Sequence, residues 1–188
     1  DACRLLHAGP LFASDFNMFD IQDRYLALVR ERGYRLPDRY EEFLPAARRM
    51  RAAMNAHPEG IVACNNDLLA ANMIDDGERL WLIDYEYSGN NEASFELGNI
   101  WSESTLPDDL LEPLVTHYWG RVSPAKEARA RMWALISQYG WTLWAVIQAE
   151  LSPIDFDYLS WGMEKYERCL CGFDSRGFES LLDSVGRV

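Results

Sequence analysis

The sequence predicts a mainly helical α+β fold, a helical lobe built around a small β-hairpin. Apolar residues recur every three and four positions through the first sixty residues, the period shortens to short apolar runs between 61 and 88, and the helical period returns from Phe95 onward. Along the chain, DACRLLHA opens with a short helix. FDIQDRYLALVRERG follows and stops at Gly33, and DRYEEFLPAARRMRAAMNAHPEG stops at Pro58 and Gly60, the residues expected beyond a helix end. IVAC and ERLWLIDY are strand candidates, and Asp76-Gly77 between them is a type I′ hairpin signal. FELGNIWSES and PDDLLEPLVTHYWG are then helical. Ser123-Pro124 opens a long helix through RMWALISQYGWTLWAVIQAEL, since proline at the first helical position loses no hydrogen bond. FDYLSWGMEKYERCL and FESLLDSV close the chain. With no repeat, low-complexity tract or linker, residues 1–188 form one domain: a helical segment at 1–60, a loop and hairpin at 61–88, and a helical part at 89–188.

Composition narrows the function. A chain of 188 residues with 48% hydrophobic and 13% aromatic content can bury a substantial core. The formal charge of −12 opposes nucleic acid as partner, because phosphate backbones need a basic face, and welcomes a cationic ligand. No window resembles a signal peptide or the roughly 20 apolar residues of a membrane span. Cys3, Cys64, Cys169 and Cys171 form no zinc pattern with His7, His57 and His117, which fits a reducing compartment. A cytoplasmic fragment beginning at Asp1 is the expectation.

The stretch CNNDLLAANMIDDGERLWLIDYEYSG, from Cys64, gathers amides and carboxylates between its apolar runs. Asp67 through Asn72 has the D-L-x-x-x-N spacing of the protein-kinase catalytic loop, in which the aspartate accepts a hydroxyl proton and the asparagine holds magnesium. A hairpin turning at Asp76-Gly77 sets Asn72 opposite Trp81 and leaves Asp84 three residues further on, roughly 10 Å of extended chain. Modest curvature then aims Asn72 and Asp84 at one ion, and magnesium favours such hard oxygen ligands. Glu86, two residues beyond Asp84, points the same way if the strand continues and adds a water-mediated contact. Turn chemistry alone also places Asp and Asn in hairpins; the apolar frame and second acid favour phosphate transfer.

The pairing of NNDLLAAN with LIDYEYSG resembles the choline/ethanolamine kinase family, within the group that includes aminoglycoside phosphotransferases and shares the protein-kinase-like fold. FELGNIWSES and GWTLWAVIQAELSPIDFDYLSW carry the resemblance further, over roughly Cys64 to Cys169. It implies the C-terminal lobe of that fold, with Asp67 as catalytic base, Asn72 and Asp84 on Mg2+, and ATP as co-substrate. One departure is Asn65, where the family has a histidine that serves as scaffold.

Trp141 and Trp144 lie three apart on one predicted helix, and Tyr158 and Trp161 three apart on the next. By spacing alone, such aromatic residues are ordinarily core. The family resemblance instead implies an amine box at Tyr87, Glu103, Trp141, Trp144, Tyr158 and Trp161. Ring faces with a carboxylate suit a quaternary ammonium, which has no hydrogen to donate. Glu103 decides between the readings, because it sits in an otherwise apolar helix; its plain alternative is an exposed helix carboxylate. Trp81, Trp119 and Trp133 are assigned to packing, Cys64 to a buried small residue, and Cys169 and Cys171 to structure.

The expected activity is ATP- and magnesium-dependent phosphorylation of choline or a related small amino alcohol. Neither a G-x-G loop nor a strand lysine precedes Asp67, so the chain is expected to be the C-terminal lobe without its nucleotide-binding partner lobe, and a weak catalyst alone. A catalytically silent amine-binding module, or a phosphotransferase acting on an aminoglycoside or ethanolamine, are the alternatives.

Overall fold

The computed structural model describes residues 1–186 and carries eight α-helices among them. They are α1 (Ala2–His7), α2 (Met18–Arg32), α3 (Leu44–Ala56), α4 (Ala93–Glu103), α5 (Leu111–Trp119), α6 (Pro124–Leu151), α7 (Tyr158–Phe173) and α8 (Phe178–Ser184). Every helix expected from the sequence is present. Their ends follow local chemistry: Asn17, Ser123 and Asp157 cap α2, α6 and α7 by accepting from Phe19 N, Lys126 N and Ser160 N. Gly33 closes α2 in the left-handed conformation at φ 69°, which glycine adopts without steric cost.

The 28-residue helix α6 is the axis of the lobe, and α2, α4 and α7 pack around it. Its residues Met132, Trp133, Ile136, Tyr139 and Leu143 are buried in the main cluster; each such side chain stabilises the fold by about 1.5–3 kcal/mol on burial. Tyr40 stacks on Tyr139 with centroids 4.1 Å apart, and each hydroxyl donates to the other's carbonyl oxygen, so the polar ends are satisfied inside the core. Where α4 crosses α6, a Cβ on Gly98 would lie 2.2 Å from Ala130 O, so only glycine allows this approach. Among the described residues no helix is long and apolar enough to cross a membrane.

Two small antiparallel sheets hold the loop of interest. In the first, β1 (Ile61–Cys64) pairs with β4 (Gly89–Glu92), a strand inside the part expected to be helical. GNNE has no apolar alternation to reveal it. Side chains fix it instead: Asn90 donates to Phe12 O and Asp15 Oδ1, Asn91 donates to Asn66, and Glu92 pairs with buried Arg129.

The second sheet corrects the expected register. In β2 (Met73–Asp75) and β3 (Leu80–Leu82), Trp81 faces Ile74 rather than Asn72. The expected two-residue type I′ turn is absent, because that turn needs positive φ at both central residues and only Gly77 has it, at 87°. Asp76 Oδ1 accepts from both Glu78 N and Arg79 N at 2.9 Å and supports a longer loop. Ile83 N therefore reaches Asn72 O at 3.0 Å, which makes Asp84 the neighbour of Asn72's partner instead of lying three residues away. Trp81, assigned to packing, is 43% exposed and lies under the Arg79 guanidinium.

Candidate functional site

The loop from Asn65 to Asn72 leaves β1 under tight control. Asn66 has φ 68°, a left-handed conformation that asparagine tolerates better than most residues. Its side chain is wrapped into the first sheet, donating to Tyr87 O and Gly89 O at 3.1 Å and accepting from Asn91. Glu96, fully buried on α4, accepts the backbone N–H of Asn65 at 3.0 Å and of Asn66 at 3.1 Å, one on each oxygen. A buried carboxylate is tolerable when its lone pairs are filled in this way. Asn65 ties the loop to the segment after β3: its Oδ1 accepts from Asp67 N at 3.0 Å, and its Nδ2 donates to Ile83 O at 3.1 Å and Asp84 O at 2.8 Å.

The two ends of the D-L-x-x-x-N segment meet. Asn72 Nδ2 donates to Asp67 O at 2.8 Å and lies 3.4 Å from Asp67 Oδ2, so Asn72 Oδ1 is the oxygen turned elsewhere. Asp84 is exposed at φ 56°, beyond the end of β3, and Glu86 follows it out of the strand. The strand thus does not continue through Glu86, as the expected alignment required; the positive φ at Asp84 turns the chain, and Glu86 lines the cavity described below. Asp67 is held well above an ordinary carboxylate, at about 7, first by burial and then by the negative charges of Glu103, Asp84 and Glu86, with Lys165 opposing. Four carboxylates and one lysine make the site negative, and Asn72 and Asp84, the residues expected on magnesium, carry the hard oxygens that such an ion favours.

Beside Asp67 lies a cavity of about 110 Å³ lined by Asp67, Leu69, Glu86, Tyr87, Glu103, Trp141, Trp144 and Trp161. The rings are mutually edged rather than scattered: Tyr87 on Trp141 at 5.0 Å, Trp141 on Trp144 at 6.4 Å, and Trp144 on Trp161 at 5.4 Å. Tyr158 is outside the lining but supports Trp144 at 5.7 Å, and its hydroxyl pairs with Ser152 at 3.0 Å. Glu103 is not an exposed helix carboxylate. Its side chain is 5% exposed and pairs with Lys165, whose ammonium sits 4.0 Å from the centre of the Trp161 ring. Trp133 packs in the core, donating to Glu92, and Trp119 packs against the cluster around α5. Cys64 is buried, with burial and Glu96 pushing its thiol pKa up, so it is no nucleophile.

Sequence reasoning missed Glu96, Asn66 and Lys165. Glu96 and Glu103 are seven apart on α4, hence on one face, and two acids on one face of an apolar helix were a readable signal. Lys165 follows Trp161 by one turn of α7, a spacing at which a lysine ordinarily faces water.

Comparison with known proteins supplies the family and the fold. A family model described as choline/ethanolamine kinase matches residues 18–119. Ethanolamine kinase 2 of Mus musculus is 32% identical over 129 residues, covering 57% of this chain and 34% of the relative. A choline/ethanolamine kinase family protein from Mesorhizobium loti superposes with a TM-score of 0.90 at 30% identity, over 97% of this chain and 63% of that one. The choline kinase LicA of Streptococcus pneumoniae gives 0.75 at 25% identity, over 90% of this chain and 60% of its own. The chain spans about a third of the length of the curated relatives it matches. A sequence match over more than half of the chain coincides with a shared fold along nearly all of it, so descent and not a short motif accounts for the likeness: the chain belongs to the choline/ethanolamine kinase family.

Proposed function

We propose that this chain supplies the acceptor-binding and catalytic lobe of an ATP-dependent kinase that phosphorylates the hydroxyl of a small cationic alcohol such as choline or ethanolamine. One observation carries the reading: Asp67, Glu86 and Glu103 converge with three tryptophan rings and one tyrosine ring on a single small cavity. Carboxylates and ring faces attract an ammonium head, each good ring contact contributing roughly 0.5–2 kcal/mol. A volume of about 110 Å³ suits a molecule of few heavy atoms better than a multi-ring aminoglycoside.

With the ammonium seated among the rings, the alcohol end lies toward Asp67. Asp67 accepts the hydroxyl proton as the oxygen bonds to the γ-phosphorus of ATP and the bond to ADP breaks; the proton then leaves to solvent. When bound, magnesium neutralises charge on the phosphate oxygens, and Asn72 and Asp84 are the residues that would hold it. Asn65 and Glu96 position the loop, and Tyr158 supports Trp144. The relatives are far longer than the part they share with this chain.

The test is phosphate transfer from ATP by the full-length protein to a panel of amino alcohols, with and without magnesium. Magnesium-dependent product with a small amino alcohol is expected. Binding of these amines without any product would overturn the reading.

A further inference from the structure

His7, Cys64 and Glu96 come from three elements, α1, β1 and α4, and one ligating atom of each lies within 4.8 Å of the other two. His7 Nε2 is 3.7 Å from Cys64 Sγ and 4.0 Å from Glu96 Oε1. All three residues are buried, and none lines the cavity beside Asp67. The spacing of cysteines and histidines along the chain makes no zinc pattern, yet the fold gathers one nitrogen, one sulfur and one oxygen donor. A tetrahedral zinc ion with bonds of about 2.0–2.3 Å sets its ligand atoms roughly 3.3–3.8 Å apart, so the two distances from His7 need to close by less than ~1 Å.

The geometry points to a binding site for a zinc-class divalent ion made by His7 Nε2, Cys64 Sγ and Glu96 Oε1, separate from the residues expected on magnesium. His7 is already oriented as a ligand. Its Nδ1 pairs with the Tyr118 hydroxyl at 2.7 Å, and an imidazole that gives its N–H to such an outer partner presents Nε2 with a free lone pair. A mixed nitrogen, sulfur and oxygen set suits a borderline-soft ion, whereas magnesium takes oxygen alone. Glu96 Oε1 accepts the Asn65 N–H at 3.0 Å and keeps a second lone pair for the ion. Burial and the Glu96 charge hold Cys64 as a thiol. As its sulfur bonds to the ion, the thiol proton leaves to solvent, and the cation offsets the charge that disfavoured the thiolate. Water completes the tetrahedron. His7 is the last residue of α1, a helix of six residues, and residues 8–11 beyond it are exposed, so local opening of that end admits the ion.

The test is a titration of the reduced full-length protein with Co2+, followed by its absorption, and with Zn2+, followed by calorimetry. Both are run in excess Mg2+, so that the oxygen ligands near Asp67 are already engaged. Cobalt is a coloured stand-in for zinc, and a thiolate ligand gives it a charge-transfer band in the near ultraviolet. The expected result is that band in wild type, removed when zinc displaces the cobalt. Cys64→Ser should abolish it, with Cys64→Ala in its place if the serine variant does not fold by circular dichroism. Tyr118→Phe should weaken zinc binding about 10-fold, the cost of losing an outer partner, and His7→Gln at least ~100-fold. Cys171→Ser, at the exposed thiol, should keep the band. No thiolate band in wild type, or a band that survives in a folded Cys64 variant, would overturn the site. A band lost in Cys171→Ser would assign it to the exposed thiol and overturn the site as well. None of these readouts depends on phosphate transfer, so the kinase reading stands or falls separately.

Discussion

Asn65 Nδ2 donates to Asp84 O at 2.8 Å while its Oδ1 accepts from Asp67 N, so one carboxamide joins the loop that carries the proposed base to the segment that carries a proposed metal ligand. Family resemblance assigns a scaffolding histidine to this position, and the asparagine bridges both sides with its own donor and acceptor. Asn65→Ala removes all three bonds. The expected result is a kcat roughly 10- to 100-fold lower, the cost of about 1 Å of misplacement, with the KM for the amine changed less than ~2-fold because the aromatic cavity is untouched. Steady-state kinetics at saturating ATP measures both.

The raised pKa of Asp67, at about 7, sets a pH profile. A base acts when deprotonated, so kcat/KM should fall as pH drops below its apparent pKa. Glu86→Gln removes one of the negative charges that raise it, and the acid limb should move toward lower pH. Raising magnesium from limiting to saturating should move it the same way, because the cation favours the carboxylate. A pH–rate series under these three conditions reads the shifts.

The same pKa makes Asp67 a stability liability. Folded Asp67 holds its proton more tightly than the unfolded chain does, so stability is fully present below about pH 4 and declines as pH rises toward about 7. Asp67→Asn should therefore raise Tm at pH 7 by roughly 2–4 °C for each kcal/mol recovered, with the gain vanishing near pH 4. Calorimetric melts at the two pH values check the sign.

Glu96 accepts two buried backbone N–H groups, and Glu96→Ala would leave both unsatisfied. A loss of about 2–5 kcal/mol is expected, read by urea denaturation. Glu96→Gln can fill only one of the two acceptor roles and should fall between.

Gly98→Ala tests the crossing of α4 and α6. The added methyl would meet Ala130 backbone atoms, which cannot swing aside as a side chain could. Destabilisation of about 1–3 kcal/mol or more is expected from this overpacking. Because α4 carries Glu103 and α6 carries Trp141 and Trp144, the KM for the amine should rise as well.

Much of this architecture is legible without coordinates, for physical reasons specific to each element. The helices announce themselves by apolar period and by end residues such as Gly33 and Ser123, which act within a few residues of the chain. Strand β4 does not, because Asn90, Asn91 and Glu92 are held by side-chain partners at long range, among them Phe12 and Arg129. The hairpin register escaped for a related reason. Asp76-Gly77 is a local turn signal, yet Asp76 spends its carboxylate on Glu78 N and Arg79 N and stretches the loop. Asp67, Glu103, Tyr87, Trp141, Trp144 and Trp161, which line one cavity, were readable from motif and family likeness, whereas Tyr158 lies behind Trp144. Lys165 was not, since a lysine on an amphipathic helix ordinarily faces water, and only the fold brings it to Glu103.

The central claim is that Asp67 accepts the acceptor's hydroxyl proton. Its most direct test is magnesium-dependent phosphate transfer from ATP to small amino alcohols by full-length wild type and Asp67→Ala at matched folded concentration. The account predicts a loss of about 10²–10⁴-fold in kcat in the variant, the range for removing a general base. Equal turnover by the two proteins would contradict it.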